Sequence, residues 1–186
     1  MTQDILSIKS PYAKILPMNK EYDTVEQIFQ KSIGKENFCI SSVFKIENPD
    51  MTNLFDKRVA FITQLRNKSP EIINVFHGTT LDAAKNIIET GFNTSYSSIA
   101  AYGKGTYASP YVTTAMMYCK DVYHDKKFSM IFLCRFIKGV FGYAQNGGMI
   151  DTTKYDYSGN KSNIYVTPYN EGIIPDYLIC YCSWAK

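Results

Sequence analysis

The sequence predicts an α+β domain, and three observations lead there. Helical and strand-like patterns alternate without the regular βαβ succession of a parallel sheet. The last three patterned runs, SMIFLCRFI, SNIYVTPY and DYLICYCSW, all look like strands. A chain of 186 residues fits one domain with a single core of its own.

Residues 1–20 carry Pro11 and Pro17 and little periodicity, which marks a lead-in or docking arm ahead of a domain over 21–186. Tyr22, Val25, Ile28, Phe29 and Ile33 then follow helical spacing until Gly34. FCISSVFKI, from Phe38 to Ile46, has the composition of a strand. Asp50 can cap a second helix with Leu54, Phe55, Val59 and Ile62 on one face. EIINVFHG is a short apolar strand ending at Gly78, and Thr80 is the natural cap of LDAAKNIIET, closed by Gly91. A helix is expected from Pro110 to about Asp121, with proline in its first turn. The stretch between them, FNTSYSSIAAYGKG, has no period and reads as a loop.

The bulk properties exclude several classes. Hydrophobic residues make up 45% and charged residues 20%, an ordinary globular balance. A formal charge of +3 gives no reason to expect nucleic acid, although it suits an anionic ligand. Five cysteines without a C-x-x-C pair, and two histidines, support neither a zinc site nor a disulfide framework. Reduced thiols in an intracellular compartment are expected, with no secretion signal and no membrane span. Tyrosine is abundant at 15 residues, and tyrosine offers flat apolar faces with a polar tip.

AYGKGTYASP contains Gly103-x-Gly105-x-x-Ala108, which satisfies a loose dinucleotide fingerprint. Its context argues against that reading. No apolar strand precedes Gly103, and Pro110 forbids a helix opening at Gly105. A Rossmann oxidoreductase built on Gly103 and Gly105 is thereby nearly removed. The glycines instead let the backbone turn sharply and approach something flat.

Three further pieces surround this loop: His77-Gly78-Thr79 at a strand end, Tyr118 eleven positions after Tyr107, and Pro175-Asp176 opening a late strand. In this order they resemble the catalytic domain of the poly(ADP-ribose) polymerase family, the diphtheria-toxin-like ADP-ribosyltransferases. Flanking stretches such as EYDTVEQIF and YDYSGNKSNIYVTPYNEGIIPDYLICY extend the resemblance over roughly Glu21 to Ser183. It is closest in flavour to the mono-ADP-ribosylating and tankyrase-like branches. No room remains for the autoinhibitory helical domain of some relatives.

The resemblance implies two packed, mostly antiparallel sheets with flanking helices. It implies NAD as co-substrate, no metal, nicotinamide as leaving group and a protein acceptor, with the chain itself among the candidates. A monomer is expected. Tyr107 and Tyr118 would sandwich the nicotinamide, Gly78 would offer its backbone to the carboxamide, and His77 would meet a ribose hydroxyl beside Thr79. Gly103 and Gly105 would shape the cofactor loop. Asp176 would supply the catalytic carboxylate, where polymerising relatives have Glu. Asp is shorter by about 1.5 Å, which favours transfer of single units over chain growth. Ala115 stands where the family usually has Ser, a loss of about 0.5–1.5 kcal/mol for one hydrogen bond. The alternative is a catalytically silent module that binds NAD or ADP-ribose.

Overall fold

Each element forms for a local reason and then finds a partner across the chain. The structure is a computed structural model that describes residues 9–33, 38–97, 101–119, 128–144 and 148–183. Among the described residues the strands are β1 (Ala13–Ile15), β2 (Phe38–Ile46), β3 (Glu71–Gly78), β4 (Thr106–Ala108), β5 (Phe128–Lys138), β6 (Ser158–Gly159), β7 (Tyr165–Thr167) and β8 (Ile173–Ser183). The α-helices among those residues are α1 (Lys20–Ile33), α2 (Pro49–Arg66), α3 (Leu81–Thr90) and α4 (Val112–Met116).

Two antiparallel sheets result. The larger has the order β1-β2-β8-β5-β3, and the smaller β4-β7-β6. Alternation along the central strands sorts their side chains onto two faces. Phe132, Cys134, Phe136, Leu178 and Cys180 join one core with α3 and with Ala108, Tyr157 and Tyr165 from around the smaller sheet. Ile131, Leu133, Ile179 and Tyr181 face the other way, onto Val25 and Phe29 of α1 and Val112 and Ala115 of α4. Burying side chains such as Phe132 and Leu178, both fully enclosed, contributes roughly 1.5–3 kcal/mol each. A third small cluster sets Phe55 and Ile62 of α2 on Ile137 and Ile174.

Helices α1 and α3 follow the sequence pattern. Thr80 Oγ1 accepts from Ala83 N at 3.3 Å, and Gly91 N donates back to the Ile87 carbonyl. Other expectations are revised. Asn48 rather than Asp50 caps α2, its Oδ1 accepting from Asp50 N and Met51 N. Pro49 then fills the first helical position, where a missing N–H is harmless. Leu54 points away from the core at 54% exposure, leaving Phe55 and Ile62 as the buried residues of that helix. Helix α4 spans Val112–Met116, not Pro110 to Asp121. It closes with three-residue turns, Tyr118 N to the Ala115 carbonyl and Cys119 N to Met116. Position 34 and positions 120–121, where two helix ends were expected to fall, lie outside the described residues.

The leading segment contributes a strand. Ala13, Lys14 and Ile15 pair with Ile46, Lys45 and Phe44, and Leu16 is buried behind them. A buried ion pair fastens the far end of α2. Asp156 accepts from Arg66 Nη2 at 3.2 Å and from Val140 N at 2.7 Å.

Candidate active site

The two sheets meet where β3 ends. Phe76 N donates to the Ser109 carbonyl at 2.6 Å, and Ser109 N returns a bond to Phe76 O at 2.9 Å. This bridge lays His77, Gly78 and Thr79 against the strand that carries Tyr107. The His77 ring completes the contact, its Nδ1 lying 2.7 Å from the Tyr107 carbonyl oxygen. A carbonyl only accepts, so Nδ1 carries the proton and Nε2 keeps its lone pair. Burial holds the His77 pKa below its usual value despite that hydrogen bond, so the ring is neutral.

Gly78 is where helix α4 comes down on the sheet. A Cβ there would overlap the Ala115 carbonyl and crowd Cys119 Sγ. Glycine is thus demanded by a packing contact as well as by access to its backbone. Gly103 has φ +104°, a region open chiefly to glycine, and a Cβ on it would press on Ala144 and Gly148. The turn it makes is closed by the Tyr107 hydroxyl, which donates to Gly103 O at 2.7 Å and accepts from Tyr102 N at 3.1 Å. The hydroxyl is committed to the loop, which leaves the ring face as what Tyr107 offers. Across from it Tyr118 stands half exposed at the end of α4.

These residues border two adjoining cavities. The larger, about 570 Å³, is lined by His77, Thr79, Asn86, Phe92, Asn93, Tyr96, Ser97, Gly105, Tyr107 and Tyr118 among others. The smaller, about 60 Å³, is bounded by Gly78, Ala108, Ala115 and Ile164, and shares His77, Tyr107 and Tyr118 with the first. Among the described residues, no Asp, Glu, Lys or Arg lines either one. What the arrangement offers is two flat rings, neutral amide and hydroxyl groups, and a deprotonated imidazole nitrogen.

Asp176 is elsewhere. It lines a separate groove with Asn48, Pro49, Asp56 and Arg135, and that groove shares no residue with either cavity. Its carboxylate accepts from Arg135 Nε at 2.9 Å and Nη2 at 3.0 Å. The expected convergence of His77, Tyr107, Tyr118 and Asp176 is therefore met by the first three alone. The reason lies in the sheet: Asp176 sits in β8, which β5 separates from β3, and fully buried Phe132 of β5 and Leu178 of β8 pack in the core between them. Of the other expected residues, Thr79 and Gly105 line the larger cavity, and Gly78 and Ala115 the smaller. Gly103 shapes the turn without lining either.

Sequence reasoning missed Ile164, Asn86, Asn93 and Tyr96. Ile164 looks like any strand hydrophobe, and its wall position arises only because β7 pairs with β4, Ala108 against Tyr165. Asn160 Oδ1 accepts from Ile164 N at 2.8 Å and holds that end of the strand. His124 lies outside the described residues. Among those described, no group of three or more His, Cys, Asp and Glu is placed to hold a metal ion, and no helix is long and apolar enough to cross a membrane.

Two antiparallel sheets that meet at a His-Gly-Thr strand end, facing a Gly-x-Gly-x-Tyr loop, define an ADP-ribosyltransferase fold. The chain belongs to the poly(ADP-ribose) polymerase catalytic domain family, whose model matches residues 19–163. It is similar to the human protein mono-ADP-ribosyltransferase PARP14, with 24% identity over 184 residues. That alignment takes in 90% of this chain and 10% of the human protein, so the chain spans about a tenth of that curated relative.

Proposed function

We propose that this chain is an NAD-dependent ADP-ribosyltransferase that transfers single ADP-ribose units to protein acceptors and releases nicotinamide. The observation that carries this reading is the pair of adjoining neutral cavities sharing His77, Tyr107 and Tyr118. In this reading nicotinamide enters the smaller cavity between the two tyrosine rings, with its carboxamide on the Gly78 backbone. The ADP-ribose part follows into the larger one, where His77 Nε2 accepts a hydrogen bond from a ribose hydroxyl.

The chemistry asks little acid of the protein. The C1′–N bond breaks with its electron pair going to nitrogen, so the cationic pyridinium leaves as neutral nicotinamide. The sugar is left oxocarbenium-like, and the acceptor's lone pair forms the new bond at C1′. Positioning of the sugar and exclusion of water supply the acceleration. Extending a polymer would further require a base for an incoming ribose hydroxyl. No carboxylate lines the cavities among the described residues, and Ile164 occupies the wall beside Tyr107. This favours single transfer, onto an acceptor that is already ionised or that brings its own base.

The same apolar wall and the alanine at 115 also favour a second reading, a module that binds NAD or ADP-ribose without turning it over. Incubation with NAD labelled on the adenylate half separates the two. Transfer predicts label on protein and stoichiometric free nicotinamide. Saturable binding with no nicotinamide above the buffer rate would leave only the module.

A further inference from the structure

We propose that Asn170 is a positioning residue that holds one wall of the larger cavity in place, and so sets the affinity for NAD. This rests on the reading of that cavity as the NAD site. The wall is the segment after α3, from Gly91 to Ser97, which contributes Phe92, Asn93, Tyr96 and Ser97 to the cavity. Its inner end is anchored by packing. Phe92 is buried, and its ring meets that of His77 edge to face at 4.9 Å.

The outer end, a 3₁₀ turn over Thr94–Tyr96, lacks that apolar anchor, and Tyr96 stands 87% exposed. Bonds within the turn give it shape: Asn93 Oδ1 accepts from Ser95 N, and Ser97 Oγ donates to the Thr94 carbonyl. Such bonds do not fix the turn relative to the body of the protein. Asn170 does. Its Oδ1 accepts from Thr94 N at 2.8 Å and from Thr94 Oγ1 at 3.0 Å, across 76 positions of sequence.

The support beneath Asn170 is itself held by several contacts. It lies in a second 3₁₀ turn, Asn170–Gly172, between β7 and β8. The preceding Tyr169 is covered by the Arg58 guanidinium, 3.3 Å from its ring centroid, and its N–H is held by Thr167 Oγ1. Gly172 packs so closely on Thr167 that a Cβ would overlap the threonine side chain. Asn170 itself does not line the larger cavity, so any effect on NAD must pass through Thr94 and the wall.

The test uses Asn170→Ala and Asn170→Asp in the full chain. Both wall bonds are accepted by oxygen, and ionised Asp remains an acceptor. Asn170→Ala is expected to raise KM for NAD about threefold to tenfold, the equivalent of about one net hydrogen bond, with kcat within about twofold. Amide hydrogen exchange in the peptide spanning Thr94 to Ser97 should quicken by a similar factor, while Asn170→Asp keeps both values near wild type. Unchanged exchange and KM in Asn170→Ala would overturn the proposal, as would an Asp variant that behaves like Ala. A fall in kcat at constant KM would also overturn it. Exchange is read without turnover, so a wild-type chain inactive on NAD but with exchange responding as expected would sink the transferase reading and leave the latch standing.

Discussion

Asp176 and Arg135 form a two-pronged ion pair, Nε to Oδ2 at 2.9 Å and Nη2 to Oδ1 at 3.0 Å, in a groove separate from the cleft of His77, Tyr107 and Tyr118. The guanidinium also lies 5.1 Å from the Phe55 ring, which ties β5 and β8 to α2. The carboxylate that a motif reading assigns to chemistry is thus engaged in architecture. Asp176→Asn is expected to leave nicotinamide release within about threefold of wild type. It should lower stability by about 0.5–1 kcal/mol, a modest figure because the two side chains keep 25% and 38% of their exposure. Urea unfolding alongside the activity assay checks both. A hundredfold loss of turnover at unchanged stability would return Asp176 to the reaction.

Gly78→Ala introduces a methyl group where the Ala115 carbonyl already stands. Helix α4 must move off the strand end and take Tyr118 with it. Overpacking of this kind costs about 1–3 kcal/mol, and nicotinamide release should fall at least tenfold. Calorimetric melting of the variant reads the first effect, and an unaltered melting temperature would mean that α4 yields freely.

Ala115 is 3% exposed and lines the smaller cavity. Ala115→Ser adds a hydroxyl at that wall, where a carboxamide partner would gain one hydrogen bond. Benzamide, a nicotinamide mimic, is expected to bind about twofold to tenfold tighter to the variant. Titration calorimetry on both proteins measures this, and equal affinity would remove position 115 from carboxamide recognition.

His77 links stability to pH. Its folded pKa is depressed by burial below the ordinary 6.5, so in acid the unfolded chain takes up a proton that the folded chain refuses. The contribution of the buried neutral ring is fully present above about pH 6.5 and is lost as pH falls through that value toward the folded pKa. NAD affinity should weaken only further down, as pH falls through the folded pKa itself, because Nε2 ceases to accept once the folded ring is protonated. His77→Asn retains a donor toward Tyr107 O and cannot titrate. Urea midpoints at pH 7.5, 6.5 and 5.5 should therefore decline less in the variant than in wild type; parallel declines would assign the pH dependence to other groups.

Much of the scaffold was legible because its signals are local. The spacing of Val25, Phe29 and Ile33 dictates the buried stripe of α1, and Thr80 and Gly91 bound α3 by their own backbone preferences. The glycines at 78, 103 and 105, with Tyr107 and Tyr118, could be picked out as a constellation before any distance was known. Other features gave weak local signals. β1 is three residues long and exists because β2 has a free edge to pair with. Asn48 outcompetes Asp50 as a cap because its amide also reaches the Glu89 carbonyl of α3 at 3.1 Å.

By itself, then, the amino-acid order determined the helices, most strands, the family and three of the residues that face one another across the cleft. Only the tertiary structure decided that Ile164 rather than a carboxylate borders the smaller cavity, and that Asp176 answers to Arg135. The physical reason is range. Helical stripes and caps are settled within a few residues of each other, whereas a cavity wall or an ion pair spanning 41 positions is set by strand register between distant segments, which one-dimensional spacing does not encode.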